Sequence, residues 1–510
     1  MERYDVAVIG AGAEGLTAAA LLARAGLRII VLEKNATPGG RAATREFHPG
    51  FHASPFADEL AAIPQRLFWT LDLARLGALL LPAPASICIS ATGTTLLYAD
   101  DERLARTLSS FASPAILALR HETAALRAAI AAYLESTLPP PPSRLKFWER
   151  PVGGLWPGEE LGQLTLADAL AARINDSALR LHMAAEMLAG RSVSPFLAGT
   201  ALHLLGGSGS GMAVGGMGAL GQALVRAAQD AGGQIRCLAN VSDVRLSKSR
   251  LGRRRAVSVM LENEEITARA VLSTLDAKKT FLSLFDWKAL PQAQVKQAAQ
   301  YRARGQGARV LFALDAPPQF PFAREAPDAA RGPIHVVTSL EAMSQAYDSW
   351  RAGTLPEQVP VSLRVPSFAD PRLAPPGKAV MTATLSAIPA RLFDGPWTPD
   401  KRAMLVKAAL AAANTAAPGT SEHVLASQVI VAPDIEETLG LTEGDLDGGE
   451  LSPDQAFSFR PWPGMDGGRT PIAGFYLSGS STPPSSFLTG SSGQRAALTI
   501  LSDMKRGRLP

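Results

Sequence analysis

The chain has 510 residues, of which 50 are Lys or Arg and 46 are Asp or Glu, so its formal net charge is +4. This near balance gives no reason to expect a nucleic-acid partner, and an apolar content of 47% excludes an intrinsically disordered chain. The 2 cysteines, Cys88 and Cys237, are too few and too far apart for a disulfide scaffold.

The first elements predict a βαβ unit. Asp5–Ile9 is a short apolar run, and a glycine-rich turn follows it. Residues 14–25 form an Ala- and Leu-rich helical pattern that ends at Gly26, and Leu27–Leu32 is a second apolar run. A strand, a helix and a strand within about 30 residues are typical of buried parallel strands.

The rest of the chain divides into helical and strand-like stretches. Between about 307 and 386, short runs rich in Val, Leu and Thr predict a second, antiparallel sheet. Residues 474–504 are predicted to form a strand, a glycine-rich loop and a helix. Further helices are predicted at 101–137, 165–175, 178–190, 222–232 and 401–414.

No segment is predicted to direct the chain to or across a membrane. The N-terminus has no basic region followed by an apolar region, so no secretory signal is predicted. The longest apolar stretch, Leu76–Ser90, contains two prolines and is shorter than the ~18–20 apolar residues of a spanning helix. We expect a soluble, cytoplasmic protein, for which peripheral contact with a bilayer through one amphipathic patch stays open.

The turn after the first strand carries the sequence G-x-G-x-x-G. Gly10 allows the tight turn, Gly12 leaves room for a pyrophosphate, and Gly15 lets the helix pack close to the strand. Glu33, at the end of the second strand, can accept from both hydroxyls of an adenosine ribose and would repel a 2′-phosphate. The motif therefore predicts a dinucleotide site that disfavours NADP, and by itself it does not choose between NAD and FAD.

A second glycine pair follows this unit. Gly39 and Gly40 precede Arg41, six to eight residues beyond Glu33. They add N–H donors and a planar guanidinium near the same pyrophosphate.

Two more glycine-rich segments precede helices. Gly216–Gly221 is again G-x-G-x-x-G, but 208–214 is a poor strand and no acid-ended strand follows, so a second dinucleotide site is disfavoured. The loop after Phe475–Leu477 is either a second anion or flavin-edge site or a plain cap of the last helix.

Metal-binding and thiol redox groups are scarce in the sequence. Cys88 and Cys237 form no C-x-x-C pair, which excludes disulfide exchange as the chemistry. No cysteine near the C-terminus is available for covalent attachment of a flavin. His48 and His52 are separated by Pro49-Gly50, which disfavours a shared helix face, and no metal site is predicted.

The glycine-rich pieces, in this order, resemble the FAD-dependent oxidoreductases of the glutathione-reductase type, in the half that contains flavin monooxygenases and amine oxidases. The chain is more similar still to the phytoene desaturase family, in the branch that contains pyridine nucleotide-disulfide oxidoreductase domain protein two. The matching pieces run through most of the chain. The most specific of them are Pro433–Glu436, Gly448–Gln455 and Arg460–Pro461.

The resemblance implies an α/β fold in which a Rossmann-type FAD-binding domain is interleaved with an α+β substrate domain. The FAD-binding domain would comprise residues 1–75, 215–290 and 425–510, and the substrate domain residues 76–214 and 291–424. The FAD would be non-covalent, with Val241 contacting adenine through its backbone. The residues implied to bind it are Gly10, Gly12, Gly15, Glu33, Lys34, Gly39, Gly40, Arg41, Val241, Gly479, Ser480, Thr489 and Gly490.

One loop departs from the family. Where the family usually has His-Pro-Gly-Gly, this chain has Pro483–Ser486. Loss of both glycines changes the backbone angles that are reachable beside the flavin.

The resemblance implies hydride transfer between flavin and a hydrophobic small molecule of polyene, isoprenoid or lipid-like type. The reaction would be a desaturation, a saturation or an isomerisation. No acid–base pair is visible in the motifs, which fits this chemistry better than hydrolysis, and no catalytic residue is predicted. Two alternatives stay open: an amine or amino-acid oxidase that uses oxygen, and a flavoprotein whose main role is in interaction or assembly. The oligomeric state also stays open.

Overall fold

The computed structural model describes residues 3–57, 63–108, 112–135, 159–206, 211–248, 254–456, 459–463, 465–483 and 489–509. The strands are β1 Arg3–Ile9, β2 Ile29–Leu32, β3 Arg45–His48, β4 Phe51–Ala53, β5 Leu80–Pro82, β6 Ala85–Ser90, β7 Gly93–Tyr98, β8 Gly211–Ala213, β9 Gln234–Arg236, β10 Asp243–Lys248, β11 Arg254–Met260, β12 Glu265–Ser273, β13 Gly307–Leu314, β14 Ile334–Val336, β15 Val361–Arg364, β16 Ala379–Ser386, β17 Val424–Ile430 and β18 Phe475–Leu477.

The helices surround these strands. They are α1 Ala13–Arg24, α2 Gln65–Thr70, α3 Asp101–Thr107, α4 Ala112–Glu135, α5 Leu166–Ala171, α6 Ser177–Met187, α7 Met217–Asp230, α8 Ala277–Ser283, α9 Gln292–Gln300, α10 Leu340–Ala352, α11 Pro366–Ala369, α12 Pro399–Ala416, α13 Ala432–Leu439 and α14 Ser491–Lys505. Among them, within the described ranges, none is both long and apolar enough to cross a bilayer.

The first sheet has a parallel centre. Its order is β10-β11-β12-β1-β2-β9, and β18 also pairs with β12. The pairs of β1 with β12, β1 with β2, β2 with β9 and β12 with β18 are parallel, whereas β10 and β11 join as an antiparallel extension. The predicted βαβ unit is therefore confirmed as the middle of this sheet.

Helices cover both faces of the first sheet. On one face, Leu16 of α1, Leu220 of α7 and Ile500 of α14 are buried in one cluster with Val8 of β1. On the other face, Phe281 of α8 is buried among aromatic residues of the sheet and its loops. A mainly parallel sheet covered by helices on both faces is the Rossmann type of α/β fold, as predicted.

The second sheet is mainly antiparallel, as predicted. Its order is β17-β13-β16-β15-β14-β6-β7, and only the pair of β14 with β6 is parallel. Alternating burial along β17, which forms an edge, contrasts with the nearly complete burial of β13. The domain boundary predicted at 424/425 lies at the start of β17, whose hydrogen bonds join it to the second sheet.

Two predicted helices have different limits in the structure. The helical pattern at 101–137 is divided, because Leu108 is in an extended conformation after α3. The helix predicted at 222–232 begins earlier, at Met217, because Gly216 adopts a positive φ of 74° and starts it. The loop predicted to change the backbone beside the flavin is Pro483–Ser486. The structure describes Pro483, and the other three residues of this loop lie outside the described ranges.

Candidate functional site

A long cavity opens where the parallel strands of the first sheet end. It encloses about 1100 Å³, and its lining includes Ile9 and Gly10 after β1 and Leu32 and Glu33 at the end of β2. The crevice beyond the carboxyl ends of parallel strands is the usual ligand position in an open α/β sheet. The fold thus brings the predicted G-x-G-x-x-G turn to the expected place.

The three glycines of this turn have different surroundings. A Cβ at Gly10 would lie 2.5 Å from Thr274 Oγ1, and one at Gly15 would lie 2.2 Å from the Gly10 carbonyl oxygen. No atom lies within 4 Å of a Cβ built at Gly12, which faces the cavity. Gly10 and Gly15 therefore permit the turn and the close approach of α1, while Gly12 leaves space for a ligand.

The start of α1 is suited to bind an anion. Its N-cap residue, Gly12, offers no side chain to satisfy the first N–H groups of the helix. Uncapped N–H groups together with the helix dipole favour a phosphate at this position.

Glu33 is buried at the cavity wall. Its Oε2 accepts from the Ala11 N–H at 2.8 Å, and its Oε1 accepts from both nitrogens of Asn35 at 3.0 Å. These bonds fix the carboxylate beside the glycine turn, where Oε2 retains a lone pair for a ribose hydroxyl. Lys34 also lines the cavity; its Nζ donates to the Glu437 carbonyl at 2.7 Å, and burial lowers its pKa.

The second glycine pair packs directly against the first motif. The Gly39 N–H donates to the Ala11 carbonyl at 2.8 Å, and a Cβ at Gly40 would lie 3.1 Å from the Gly12 Cα. Arg41 lines the cavity, and its guanidinium donates to the Leu446 carbonyl. The predicted grouping of Gly39, Gly40 and Arg41 with the first glycine turn is present in the structure.

The second G-x-G-x-x-G sequence has a packing role. A Cβ at Gly221 would lie 2.4 Å from the Ala42 carbonyl oxygen, and one at Gly218 would lie 2.7 Å from the Thr44 nitrogen. These glycines let α7 approach the segment that follows Gly39 and Gly40. Close packing accounts for them without a second dinucleotide.

The remaining predicted residues come from distant parts of the chain. Val241, Gly479, Ser480 and Thr489 line the same cavity. Gly490 does not line it, but its N–H donates to Glu14 Oε1 at 2.7 Å. Among the residues predicted to bind the cofactor, Gly15 and Gly490 are therefore the two that do not line the cavity.

The sequence motifs did not reveal the role of Glu14. This half-buried carboxylate also accepts from the Gly493 N–H at 2.8 Å and from Ser492 Oγ at 3.0 Å. Burial raises its pKa in spite of these bonds. An acid within the first turn of α1 thus caps the N-terminus of α14, and the only signal for it was its place inside the glycine motif.

The Arg460–Pro461 and Gly448–Gln455 pieces meet beside the cavity. Arg460 is 2% exposed, and its guanidinium donates to the carbonyl oxygens of Ser480 at 2.9 Å and Gly449 at 3.0 Å. A buried arginine with several carbonyl acceptors holds this loop against the predicted flavin-side residue Ser480.

Two acids just before Gly448, Asp445 and Asp447, have pKa values that are shifted in opposite directions. Burial and the neighbouring Asp447 raise the pKa of Asp445 to about 8. Burial opposes ionisation of Asp447 as well, but Arg191 and Arg41 lower its pKa below the usual range. Arg191 Nε lies 3.2 Å from Asp447 Oδ2, so the cavity wall carries an ion pair at this point.

A polar chain leads from the cavity into the second sheet. Glu186 lines the cavity, and its Oε2 accepts from Ser86 Oγ at 3.2 Å. Ser86 Oγ lies 2.9 Å from His182 Nε2, whose other ring nitrogen lies 2.8 Å from Thr95 Oγ1. Burial and His335 hold the pKa of His182 well below its usual value, so this ring is neutral. His182 and Glu186 are four residues apart on α6, a spacing that could have indicated the pair.

The cavity lining also contains apolar and charged groups outside the glycine motifs. Its apolar residues include Met187, Met217 and Leu220, and Arg127 and Glu186 also line it. The open space at Gly12, the buried carboxylate of Glu33 and the uncapped start of α1 fit the adenosine diphosphate portion of FAD. The volume beyond them leaves room for the rest of the cofactor and a small ligand.

Comparisons with known proteins agree with this geometry. A family model described as flavin-containing amine oxidoreductase matches residues 15–428. Pyridine nucleotide-disulfide oxidoreductase domain-containing protein 2 from Mus musculus is 30% identical over 551 aligned positions, which cover 98% of this chain and 94% of the relative. The predicted resemblance to that branch is confirmed.

Two further comparisons concern smaller or more distant matches. All-trans-retinol 13,14-reductase from Macaca fascicularis is 48% identical over 56 residues, which are 10% of this chain and 9% of that protein. The solved structure of wild-type putrescine oxidase bound to putrescine superposes with a TM-score of 0.61 at 17% identity, covering 99% of this chain and 100% of the other. This second likeness shows the fold. The chain belongs to the flavin-containing amine oxidoreductase family, and its cofactor is FAD.

Proposed function

We propose that this FAD-dependent oxidoreductase acts on an apolar, unsaturated or saturable small molecule by transfer of a hydride or its equivalent. The observation that carries the proposal is that Met187, Met217 and Leu220 line the same cavity as the predicted cofactor-binding residues. Flexible thioethers and a leucine suit an apolar ligand of extended shape. FAD, when bound, supplies the redox chemistry, and the protein supplies position and exclusion of water.

The resemblance to phytoene desaturases and the short match to a retinol reductase support a polyene or isoprenoid substrate. Such a reaction also moves a proton. Glu186 is a carboxylate in the cavity whose hydrogen-bonded chain through Ser86 and His182 ends at the half-buried Thr95. This side chain is positioned to hold a proton that leaves or enters the substrate.

Oxidation of an amine is the second candidate. The same Glu186 carboxylate could attract an ammonium group, and the putrescine oxidase likeness shows that the fold accommodates such a reaction in another protein. In the oxidation of an amine, the substrate itself reduces the flavin. In the saturation of a polyene, the flavin must be reduced by another donor first.

The decisive experiment uses the FAD-loaded protein under anaerobic conditions. Photoreduced protein is mixed with retinol as a polyene, and oxidised protein is mixed separately with putrescine and with longer alkyl amines. We expect retinol to restore the visible absorbance of the oxidised flavin, with a saturated product detected by mass spectrometry. Bleaching by amines, with peroxide released when air is admitted and no response to the polyene, would establish the amine alternative instead.

A further inference from the structure

Arg127 lies at the end of the buried face of α4. Ile116, Leu119 and Thr123, at successive helical spacings on this face, are 0%, 2% and 8% exposed. Arg127 is the next position of the same face, and its side chain is half-buried and lines the cavity. The face that packs into the core thus ends in a guanidinium at the cavity wall.

This guanidinium has no counter-ion among the residues that the structure describes. Its Nη1 is buried and has no hydrogen-bond partner there. Burial alone lowers the pKa of Arg127, with no contribution from a carboxylate. Glu186 lines the same cavity, but no ion pair joins it to Arg127 among the described residues.

The other two arginines that line the cavity already have partners within the protein. Arg191 pairs with Asp447 at 3.2 Å, and Arg41 donates to the Leu446 carbonyl. A buried cation that lacks a partner is unfavourable unless a ligand supplies the opposite charge. The planar fork of an arginine is suited to bind a carboxylate or phosphate with two parallel bonds.

We propose that Arg127 binds an anionic group at one end of an apolar ligand, and that the substrate class is an apolar molecule that ends in a carboxylate. The apolar wall of Met187, Met217 and Leu220 accommodates its body, while Arg127 fixes its acidic end. This inference rests on the proposed function and narrows its substrate. It adds a specificity-determining residue that no glycine motif contains.

The FAD pyrophosphate offers the same anionic chemistry as a ligand carboxylate. The turn residues Gly12 and Arg41 follow strands of the first sheet, whereas α4 packs in the core of the second sheet. A carboxylate ligand is therefore the better assignment. The experiment has to measure cofactor affinity and ligand affinity separately.

The test uses FAD-loaded protein and two probes of equal chain length, decanoate and 1-decanol. Calorimetry gives their affinities, and the visible flavin absorbance reports whether each probe reaches the cofactor. We expect decanoate to bind at least about tenfold more tightly than 1-decanol, because a charge-assisted bond to a buried arginine is strong. Arg127→Met should remove this difference and leave the affinity for 1-decanol and for FAD unchanged. Arg127→Lys should keep part of it.

Arg120→Met is the matched control, since Arg120 lies on the same helix, is largely buried, and donates to the Tyr98 carbonyl at 2.7 Å. It should keep the preference for decanoate.

Equal binding of both probes to the unaltered protein would overturn the carboxylate assignment, but it would not contradict an apolar substrate. Absence of binding by either probe would contradict the proposed function as well. Loss of FAD affinity in Arg127→Met would assign this arginine to the cofactor and overturn the inference.

Discussion

At the scale of single residues, Glu33 is held from both sides. Each carboxylate oxygen accepts from at least one backbone N–H, from Ala11 on one side and from Asn35 on the other. A glutamine at this position would therefore place its NH₂ group opposite the N–H of Ala11 or of Asn35, and two donors would face each other. The acid at the end of β2 therefore fixes the shape of the loop, in addition to its predicted contact with the ribose.

We expect Glu33→Gln to weaken FAD binding by at least about tenfold, because loss of a hydrogen bond to a charged group costs about 1.5–3 kcal/mol. The measurement is the dissociation constant from quenching of flavin fluorescence. Glu437→Gln, at the rim of the same cavity, is the control and should bind FAD normally. Equal affinity of both variants would show that the carboxylate does not contact the cofactor.

The sequence predicted the residues whose role is set by local spacing. Gly10, Gly12 and Glu33 belong to one βαβ unit, so their positions follow from the strand and helix that they join. Glu14 and His182 could not be assigned in this way. Their partners, such as Gly493 and Ser86, are far away in sequence, and only the packing of α14 and β6 brings them together.

At the scale of elements, the contact between α7 and the loop after Gly39 positions the cavity wall. The helix approaches so closely that its glycines face backbone atoms of residues 42–44. Met217 and Leu220, on the same helix, line the cavity. A shift of α7 would therefore change both the loop and the ligand volume.

Gly221→Ala tests this contact. The added methyl group would lie 2.4 Å from the Ala42 carbonyl oxygen, so α7 must move, at a cost of about 1–3 kcal/mol. We expect a lower free energy of unfolding and weaker FAD binding. Gln222→Ala, at the exposed neighbouring position, should change neither. Denaturant titration and FAD titration measure the two effects, and normal values for Gly221→Ala would contradict the close packing.

Glu14 joins α1 to α14, the last helix of the described chain. Glu14→Gln would place an NH₂ group against the N–H of Gly490 or of Gly493, and we expect this mismatch to cost about 1–3 kcal/mol. Hydrogen exchange should accelerate at the first turn of α14 while α1 stays protected. Glu341→Gln, in the first turn of α10, is the control. Unchanged exchange at Gly490–Gln494 would show that the cap does not hold the helix.

At the scale of the whole molecule, the two sheets are made from alternating portions of the chain. Strands of the first sheet come from 3–32, 234–273 and 475–477, and those of the second come from 85–98 and 307–430. The second sheet was predictable from the change of pattern near residue 307, whereas the interleaving of the chain was implied only by the family resemblance. The short edge strand β9 and the place of Arg127 and Glu186 in the cavity lining were not predictable, because both depend on pairings between distant segments.

Stability of the whole fold should depend on Asp445. Its pKa is raised to about 8 in the folded protein and is close to 4 in the unfolded chain, so the folded state binds more protons between these values. Stability should therefore fall as the pH rises through this window, with a slope on the order of 1.4 kcal/mol per pH unit from this group. Thermal unfolding from pH 5 to pH 8 measures the trend.

Asp445→Asn should flatten this dependence, since the amide does not titrate. Asp400→Asn, an exposed acid at the start of α12, should leave the slope unchanged. A variant at Asp445 with the original slope would assign the pH dependence to another group.

The cavity lining carries a consequence for biosynthesis. Glu33 and Gly479 line the same cavity, yet almost the whole chain separates them in sequence. At about 5–20 residues per second, a ribosome delivers the first of these residues long before the second. The full lining of the cavity is therefore present only after nearly the whole chain has been synthesised, so a cofactor that needs all of these residues can bind only late in biosynthesis.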